Sequence, residues 1–318
     1  MIKNVCKFIV SICTHISPTL GCRIIYFIKF KRILNLKNPV YFNEKLMWLK
    51  LNDYNHNNNV WTCSDKYTMR KYCLDKGIKE ENLSKLIGVY GNIDEIDFNK
   101  LPKKFALKCT HGMGFNIICE DKEKIDIVKT KKKLDIWQKK KFGYESAETH
   151  YTHIEPKIIC EEFIENEKNE YPIDYKIYCF NGKPKIVLVC TNRKTHYQTT
   201  FFDLNWNNLH LRESETNLIL EKPKQFEEMI EISKNLSKEF KFVRVDFYEH
   251  NGKAILGELT FTPAACLGIY IKEESKKMGD MLDLGKKEYH KQRKKSINNN
   301  CSIICKITKH AKKGKSKH

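Results

Sequence analysis

The stretch Phe242-Val-Arg-Val-Asp-Phe-Tyr-Glu-His-Asn-Gly-Lys-Ala-Ile-Leu-Gly-Glu-Leu-Thr260, continued by Phe261-Thr262-Pro263, decides the fold. It reads as two strands rich in β-branched and aromatic residues, joined by Asn251-Gly252, the dipeptide that best tolerates the positive φ angles of a tight type I′ turn. Antiparallel pairing across that turn sets Asp246 roughly opposite Glu258 and Arg244 opposite Thr260 on one face, because alternate residues of a strand share a side. Like charges facing each other across a sheet repel. Two acids so placed among Val243, Val245, Phe247, Ile255 and Leu259 point to a cation between them. Mg²⁺ is the natural candidate, since it takes hard oxygen ligands and commonly uses one or two carboxylates together with substrate phosphates. An edge hairpin with solvated polar residues accounts for the same letters, and this stretch alone leaves both readings open.

Around the hairpin, the 318 residues are 41% hydrophobic and 31% charged, enough apolar material for two packed subdomains or one large domain of a soluble protein. The net charge of +19 invites a nucleic-acid reading, but its distribution argues against one. Residues 1–37 carry seven Lys/Arg and no acid, residues 286–318 carry twelve Lys/Arg and only Glu288, and residues 38–285 are left near neutral. Basic ends around a neutral middle suit peripheral contact with an anionic membrane rather than specific nucleic-acid recognition, which needs a basic face on the folded part. The thirteen cysteines are odd in number and form no CxxC pair. No stretch reads as a signal peptide, so they are expected to be reduced thiols of a cytosolic, cytoplasmic protein.

The run from Val5 to Leu34 mixes aliphatic and aromatic residues with Lys7, Arg23, Lys29, Lys31 and Arg32. Its longest uncharged part, Phe8 to Cys22, falls short of the roughly 20 residues of a spanning helix, so it reads as helical and interfacial, either touching a membrane or packed on the core. Asn43 is expected to cap a helix carrying Leu46, Met47, Leu49 and Leu51, and a second helix runs from Val60 to Lys76 and stops at Gly77. Leu86 to Tyr90 reads as a strand. Lys104 to Cys109 is another, running through Thr110-His-Gly-Met-Gly-Phe115 into a third, Asn116 to Cys119. A lysine near a strand end followed by two glycines is what a phosphate site needs, an ammonium group plus backbone N–H groups unshielded by Cβ, although ordinary hairpin turns also carry two glycines. Asp126 to Lys141 is a lysine-rich helix, and 142–155 reads as a loop that orders over a ligand. A strand from Lys157 to Ile164 opens a second subdomain. A meander follows over Asp174–Phe180, Lys185–Thr191 and Tyr197–Asp203, then a helix opened by Glu221-Lys-Pro223 with Phe226, Met229, Ile230 and Leu236 buried, and one more helix after Gly268. From Lys286 the tail is lysine-rich and expected to be disordered.

Over residues 38–285 the chain resembles the ATP-grasp superfamily, and within it the TupA-like family of teichuronopeptide biosynthesis. The resemblance rests on Asn38-Pro-Val-Tyr-Phe-Asn-Glu-Lys-Leu, Asp65-Lys66-Tyr, Leu107-Lys-Cys-Thr-His-Gly-Met-Gly114, Asp174-Tyr-Lys-Ile-Tyr-Cys-Phe-Asn-Gly-Lys-Pro184, Val243-Arg-Val-Asp246 and Gly257-Glu-Leu-Thr-Phe-Thr-Pro263, in that order. It implies an α+β ATP-grasp fold in which two α+β subdomains, 38–156 and 157–285, clamp ATP. A basic helical segment, 1–37, would precede them and a basic disordered tail, 286–318, would follow.

The same resemblance implies the site residues. Lys66, Lys108 and the loop of His111, Gly112 and Gly114 would hold the ATP phosphates. Glu161, with backbone groups of Glu162 and Ile164, would read adenine, and Asp174 would take the ribose. Asp246 and Glu258 would bind Mg²⁺, with Thr260 where many relatives have Asn, and Arg244 with Lys108 would act on the transferring phosphoryl group. Arg193 and His196 are candidate substrate contacts. Ala264 and Ala265 stand where relatives tend to have glycine, at the acceptor side. The implied activity is amide formation between a carboxylate acceptor and an amine donor through an acyl phosphate, with a surface polysaccharide or its precursor as the implied substrate. Two other classes remain: a glycosyltransferase or sugar kinase of polysaccharide biosynthesis, and a non-catalytic basic protein that binds anionic polymers.

Overall fold

Ser17-Pro18 cuts the apolar N-terminal run in two. Proline lacks an N–H and fixes φ, which suits the first turn of a helix. The chain accordingly forms α1 (Ile2–Ile16) and α2 (Pro18–Phe30), packed on each other where Gly21 meets Thr14, and any Cβ at Gly21 would collide with the threonine hydroxyl. The computed structural model describes residues 2–165, 172–192, 196–216 and 218–285; the expected disordered tail and Arg193 lie outside them.

α3 (Phe42–Asn52) starts just after Tyr41, not at Asn43. The Glu44 carboxylate accepts from the N–H groups of Val40 (2.9 Å) and Tyr41 (3.2 Å), so the first turn supplies its own cap. The helix expected from Val60 to Lys76 is two helices, α4 (Asn58–Ser64) and α5 (Thr68–Asp75). The Asp65 carboxylate accepts from the N–H groups of Tyr67 (2.6 Å) and Thr68 (2.9 Å), which starts a new helix and leaves Lys66 in the break.

The first sheet holds β1 (Leu86–Tyr90), β2 (Phe105–Cys109) and β3 (Asn116–Cys119), with α6 (Ile127–Lys139) and β4 (Ile158–Glu162) following in the chain. Its strand order is β1-β4-β2-β3, antiparallel throughout. β4 lies between β1 and β2, so the chain leaves this sheet after Glu162 and not at residue 157. Phe105, Leu107, Ile158 and Cys160 form its core with Leu134 of α6, and Phe115 stacks on Trp137 with ring centroids 5.4 Å apart. The stretch 142–155 is not an open loop: Glu148, Thr149, His150 and Tyr151 are buried, the last three in a short 3-10 turn.

The second sheet takes β5 (Asp174–Phe180), β6 (Lys183–Thr191) and β7 (Gln198–Phe202); after α7 (Phe226–Ser237) come β8 (Phe242–His250) and β9 (Lys253–Thr260). The order is β7-β6-β5-β8-β9, again antiparallel. α7 starts at Phe226 rather than Glu221, with Pro223 ahead of it and Glu227 and Glu228 in its first turn, where acids favour the helix dipole. Its expected stripe is buried. From the other direction Phe42 of α3 sits edge-on to Phe242 (5.2 Å) and Tyr270 (5.8 Å), covering residues whose side chains alternate out of the sheet. Asn251 (φ 51) and Gly252 (φ 72) make the expected left-handed turn between β8 and β9. α8 (Lys272–Asp280) completes the unit Met1–Leu282, which contains every element described.

Candidate active site

Strand alternation places the acidic pair on one face. Arg244 lies opposite Thr260 and Asp246 opposite Glu258, and a bulge after Asp246 then shifts Phe247 onto Leu256. β5 flanks β8 on its other side and sets Lys176 directly across from Asp246. Asp246, buried, is held by two cations: Arg244 donates to it twice, Nε and an Nη each at 2.6 Å, and Lys176 Nζ lies 2.6 Å away. The same guanidinium reaches the Thr260 hydroxyl at 3.1 Å and Glu258 at 3.4 Å, and Thr260 donates to Glu258 at 3.2 Å. Burial would raise the Glu258 pKa, but the charges of Lys66, Lys176 and Arg244 and the threonine bond outweigh it and lower it to about 2. Burial likewise works against the Lys176 ammonium, and Asp246 overcomes it, raising that pKa.

The first sheet supplies the other half. Lys66, in the break between α4 and α5, donates to the Gly112 carbonyl at 2.5 Å. Burial and the neighbouring Lys108 lower its pKa, with Glu258 partly opposing them. Lys108 on β2 pairs with Glu161 on β4 at 2.6 Å, and Arg70 of α5 approaches the other oxygen of that carboxylate at 3.4 Å. The carboxylate expected to read adenine is therefore held by two cations. The Glu162 N–H donates to Lys85 O at 2.9 Å, and Ile164 follows β4, half-buried.

The glycine loop has two reasons for its glycines. Gly114 adopts φ 73 with nothing near its missing Cβ, which is a conformational requirement; a Cβ at Gly112 would meet the rings of Phe115 and Phe142 at 2.9 Å, which is a packing requirement. His111 turns inward, its Nε2 3.1 Å from Lys140 O, and burial lowers its pKa. It also lies against the Phe115 ring, centroids 5.7 Å apart.

A third element closes the face. Thr262 donates to the buried Glu148 carboxylate at 2.6 Å, and the fully buried Lys50 donates to Ser146 O (3.0 Å) and Ala265 O (3.2 Å). Between these anchors Ala264, Ala265 and Cys266 are all left-handed, with φ of 50, 56 and 66. Asp174 is completely buried at the start of β5, 3.5 Å from Lys176, and His196 is exposed before β7.

Sequence reasoning missed Lys176, Arg70, Lys50 and Glu148. Lys176 was within reach, since Asp174 and Lys176 share a face by alternation, but its partner depends on β5 lying beside β8. Among the described residues no group of three or more His, Cys, Asp or Glu side chains gathers as a metal cluster. The donor set instead fits a hard divalent ion completed by substrate oxygens: two carboxylates and a hydroxyl on one face.

Two antiparallel sheets that bring paired lysines and a glycine loop toward an acid-bearing hairpin define an ATP-grasp protein. The sequence profile described as TupA-like ATPgrasp matches residues 44–286, and the chain belongs to that family. No curated protein matches it in sequence. Similar solved structures include D-alanine–D-alanine ligase from Bacillus anthracis complexed with ATP (16% identity, 74% of this chain and 68% of that one, TM-score 0.43). Another is N5-carboxyaminoimidazole synthase from Aspergillus clavatus in complex with ADP and 5-aminoimidazole ribonucleotide (10%, 64% and 45%, 0.38). A third is the ATP-grasp ligase PsnB complexed with a phosphomimetic variant of its minimal precursor, Mg and ADP (10%, 76% and 62%, 0.38).

Proposed function

We propose that this protein is an ATP- and Mg²⁺-dependent carboxylate–amine ligase. The observation that carries the proposal is the convergence of Lys176 and Arg244 on the Asp246–Glu258 pair, because opposed acids flanked by cations suit a bound metal–triphosphate. Lys66 and Lys108 hold the phosphates against the glycine loop, and Arg244 and Lys176 turn from Asp246 to the transferring phosphoryl group. Asp246 and Glu258, with the Thr260 hydroxyl, would hold Mg²⁺, which would supply positive charge to the phosphate oxygens.

In the first step an acceptor carboxylate oxygen bonds to the γ-phosphorus as the bond to the bridging oxygen breaks and ADP leaves. In the second an amine attacks the acyl carbon, the acyl C–O bond to phosphate breaks, and phosphate departs taking up the proton that the amine releases, with Arg244 facing the oxyanion. Glu161 and the chain around Glu162 and Ile164 receive adenine, and Asp174 the ribose. Residues 38–162 and 174–285 act as the two jaws. The acceptor is a carboxylate of a surface glycan or its precursor, handled on the cytoplasmic side, an assignment supported by the family alone.

Purified protein is expected to release ADP and phosphate only when a carboxylate and an amine are both present. AMP and pyrophosphate would overturn the acyl-phosphate route, and thermal stabilisation by a nucleotide sugar but not by ATP would assign the site to glycosyl transfer instead.

A further inference from the structure

α1 carries a stripe that no described element covers. Val5, Phe8, Ile9, Ile12 and Ile16 recur at spacings of three and four, which places them along one face of the helix. All are exposed, Phe8 to 66% and Ile16 to 73%. The packing contacts come from elsewhere on the hairpin: Val10 and Thr14 are buried, Lys7 pairs with Glu145 at 3.4 Å, His15 stacks on Tyr144 at 3.7 Å, and Tyr26 of α2 is buried. α2 adds exposed Leu20 and Phe27, and Arg23, Lys29 and Lys31 are exposed on the same hairpin.

The charge on this segment has one sign. Residues 1–37 contain no Asp or Glu. Pairing two copies of the hairpin would bring like charges together across a symmetric contact, whereas an anionic lipid surface satisfies both the apolar stripe and the cations. α1 has 15 residues, and among the described residues no helix is long and apolar enough to cross a membrane. A helix of this kind lies in the plane of the interface. We propose that the α1–α2 hairpin is an interfacial anchor that beds Phe8, Ile12 and Ile16 below the headgroups of an anionic bilayer while Arg23, Lys29 and Lys31 meet lipid phosphates. The inference does not depend on the ligase assignment.

The test is co-sedimentation of the full chain with phosphatidylcholine vesicles and with mixed phosphatidylcholine–phosphatidylglycerol vesicles. Binding is expected to the mixed vesicles, weaker at high salt. The combined variant Phe8→Gln/Ile12→Gln/Ile16→Gln, whose exposed positions leave its melting temperature unchanged, should lose roughly tenfold or more in vesicle affinity, as the burial of three large side chains implies. In a Phe8→Trp variant, indole emission should shift to the blue on mixed vesicles. Equal binding to neutral vesicles, or no binding by the full chain, overturns the proposal. So does wild-type affinity in the triple variant, which would assign binding to residues 286–318, and so does a wild-type dimer that the triple variant dissolves.

Discussion

Residues 244–260 and residues 262–266 follow one another along the chain, yet they hold their geometry by opposite means. The hairpin is specified locally: alternation puts Arg244, Asp246, Glu258 and Thr260 on one face, and Asn251-Gly252 occupies the left-handed turn with residues that tolerate it. The strap after it forces Ala264, Ala265 and Cys266 into the left-handed region, where an L-residue costs about 1–2 kcal/mol. Its shape is imposed from outside, by Glu148 on Thr262, Lys50 on Ala265 O and Asn43 on Cys266 O (2.8 Å). A charged site can thus be written in a few neighbouring residues, while the wall beside it depends on burial elsewhere.

The sharpest way to probe the hairpin is Asp246→Asn. It leaves Lys176 and Arg244 facing a neutral group and removes one of the two carboxylates proposed to hold Mg²⁺, so ADP release should fall by about three orders of magnitude. Breaking a buried ion pair costs about 3–5 kcal/mol of stability. Glu258→Gln should inactivate similarly but unfold less readily than Asp246→Asn, because the Glu258 side chain is 33% exposed and that of Asp246 only 2%. Equal thermal destabilisation of the two variants would show that the acids are not held differently.

Acid separates the two regions next. Glu258, lowered to about 2, contributes stability that is complete above the unfolded carboxylate pKa of about 4.3 and is lost as the pH falls toward 2. On the wall, burial chiefly, with Lys50 and His153 adding to it, lowers the His150 pKa to about 3. The unfolded chain then binds the extra proton, so this contribution is present above about 6.5 and declines below it. Denaturant midpoints measured across this range should begin to fall near neutrality. His150→Gln should shrink that upper limb, leaving the smaller share of the buried His111, and Glu258→Gln should shrink the lower one; an upper limb unchanged in His150→Gln would mean that the wall is not the acid-sensitive part.

These differences also explain what the sequence disclosed. The hairpin, its register and all seven expected β-strands outside it were legible because strand alternation and turn dipeptides are short-range signals. Lys66 was legible only through resemblance, since Asp65 breaks an apparently continuous helix by capping its second half. Lys176 stood in a quoted motif but acquires meaning only from the neighbour that β5 chooses. Lys50 and Glu148 were invisible: one reads as a helix lysine and the other as a loop acid, and their partners lie 215 and 114 residues away.

The smallest expected effect bears most directly on how the strap is held. Ala264 is exposed and Ala265 half-buried, so Ala264→Gly/Ala265→Gly removes little packing and chiefly relieves left-handed strain. Glycine returns about 0.5–1 kcal/mol of this at each site through the greater freedom of the unfolded chain, and the pair should gain about 1 kcal/mol net. The matched control is Gly252→Ala, at φ 72 with nothing within 4 Å of the added methyl; it should lose about 1 kcal/mol for the same backbone reason with the sign reversed. Both are read as shifts in denaturant midpoint at constant slope. If the glycine pair destabilises while Gly252→Ala behaves as expected, the two methyl groups themselves hold the strap, and its left-handed run is a consequence of their contacts rather than a strain borne by Lys50, Glu148 and Asn43.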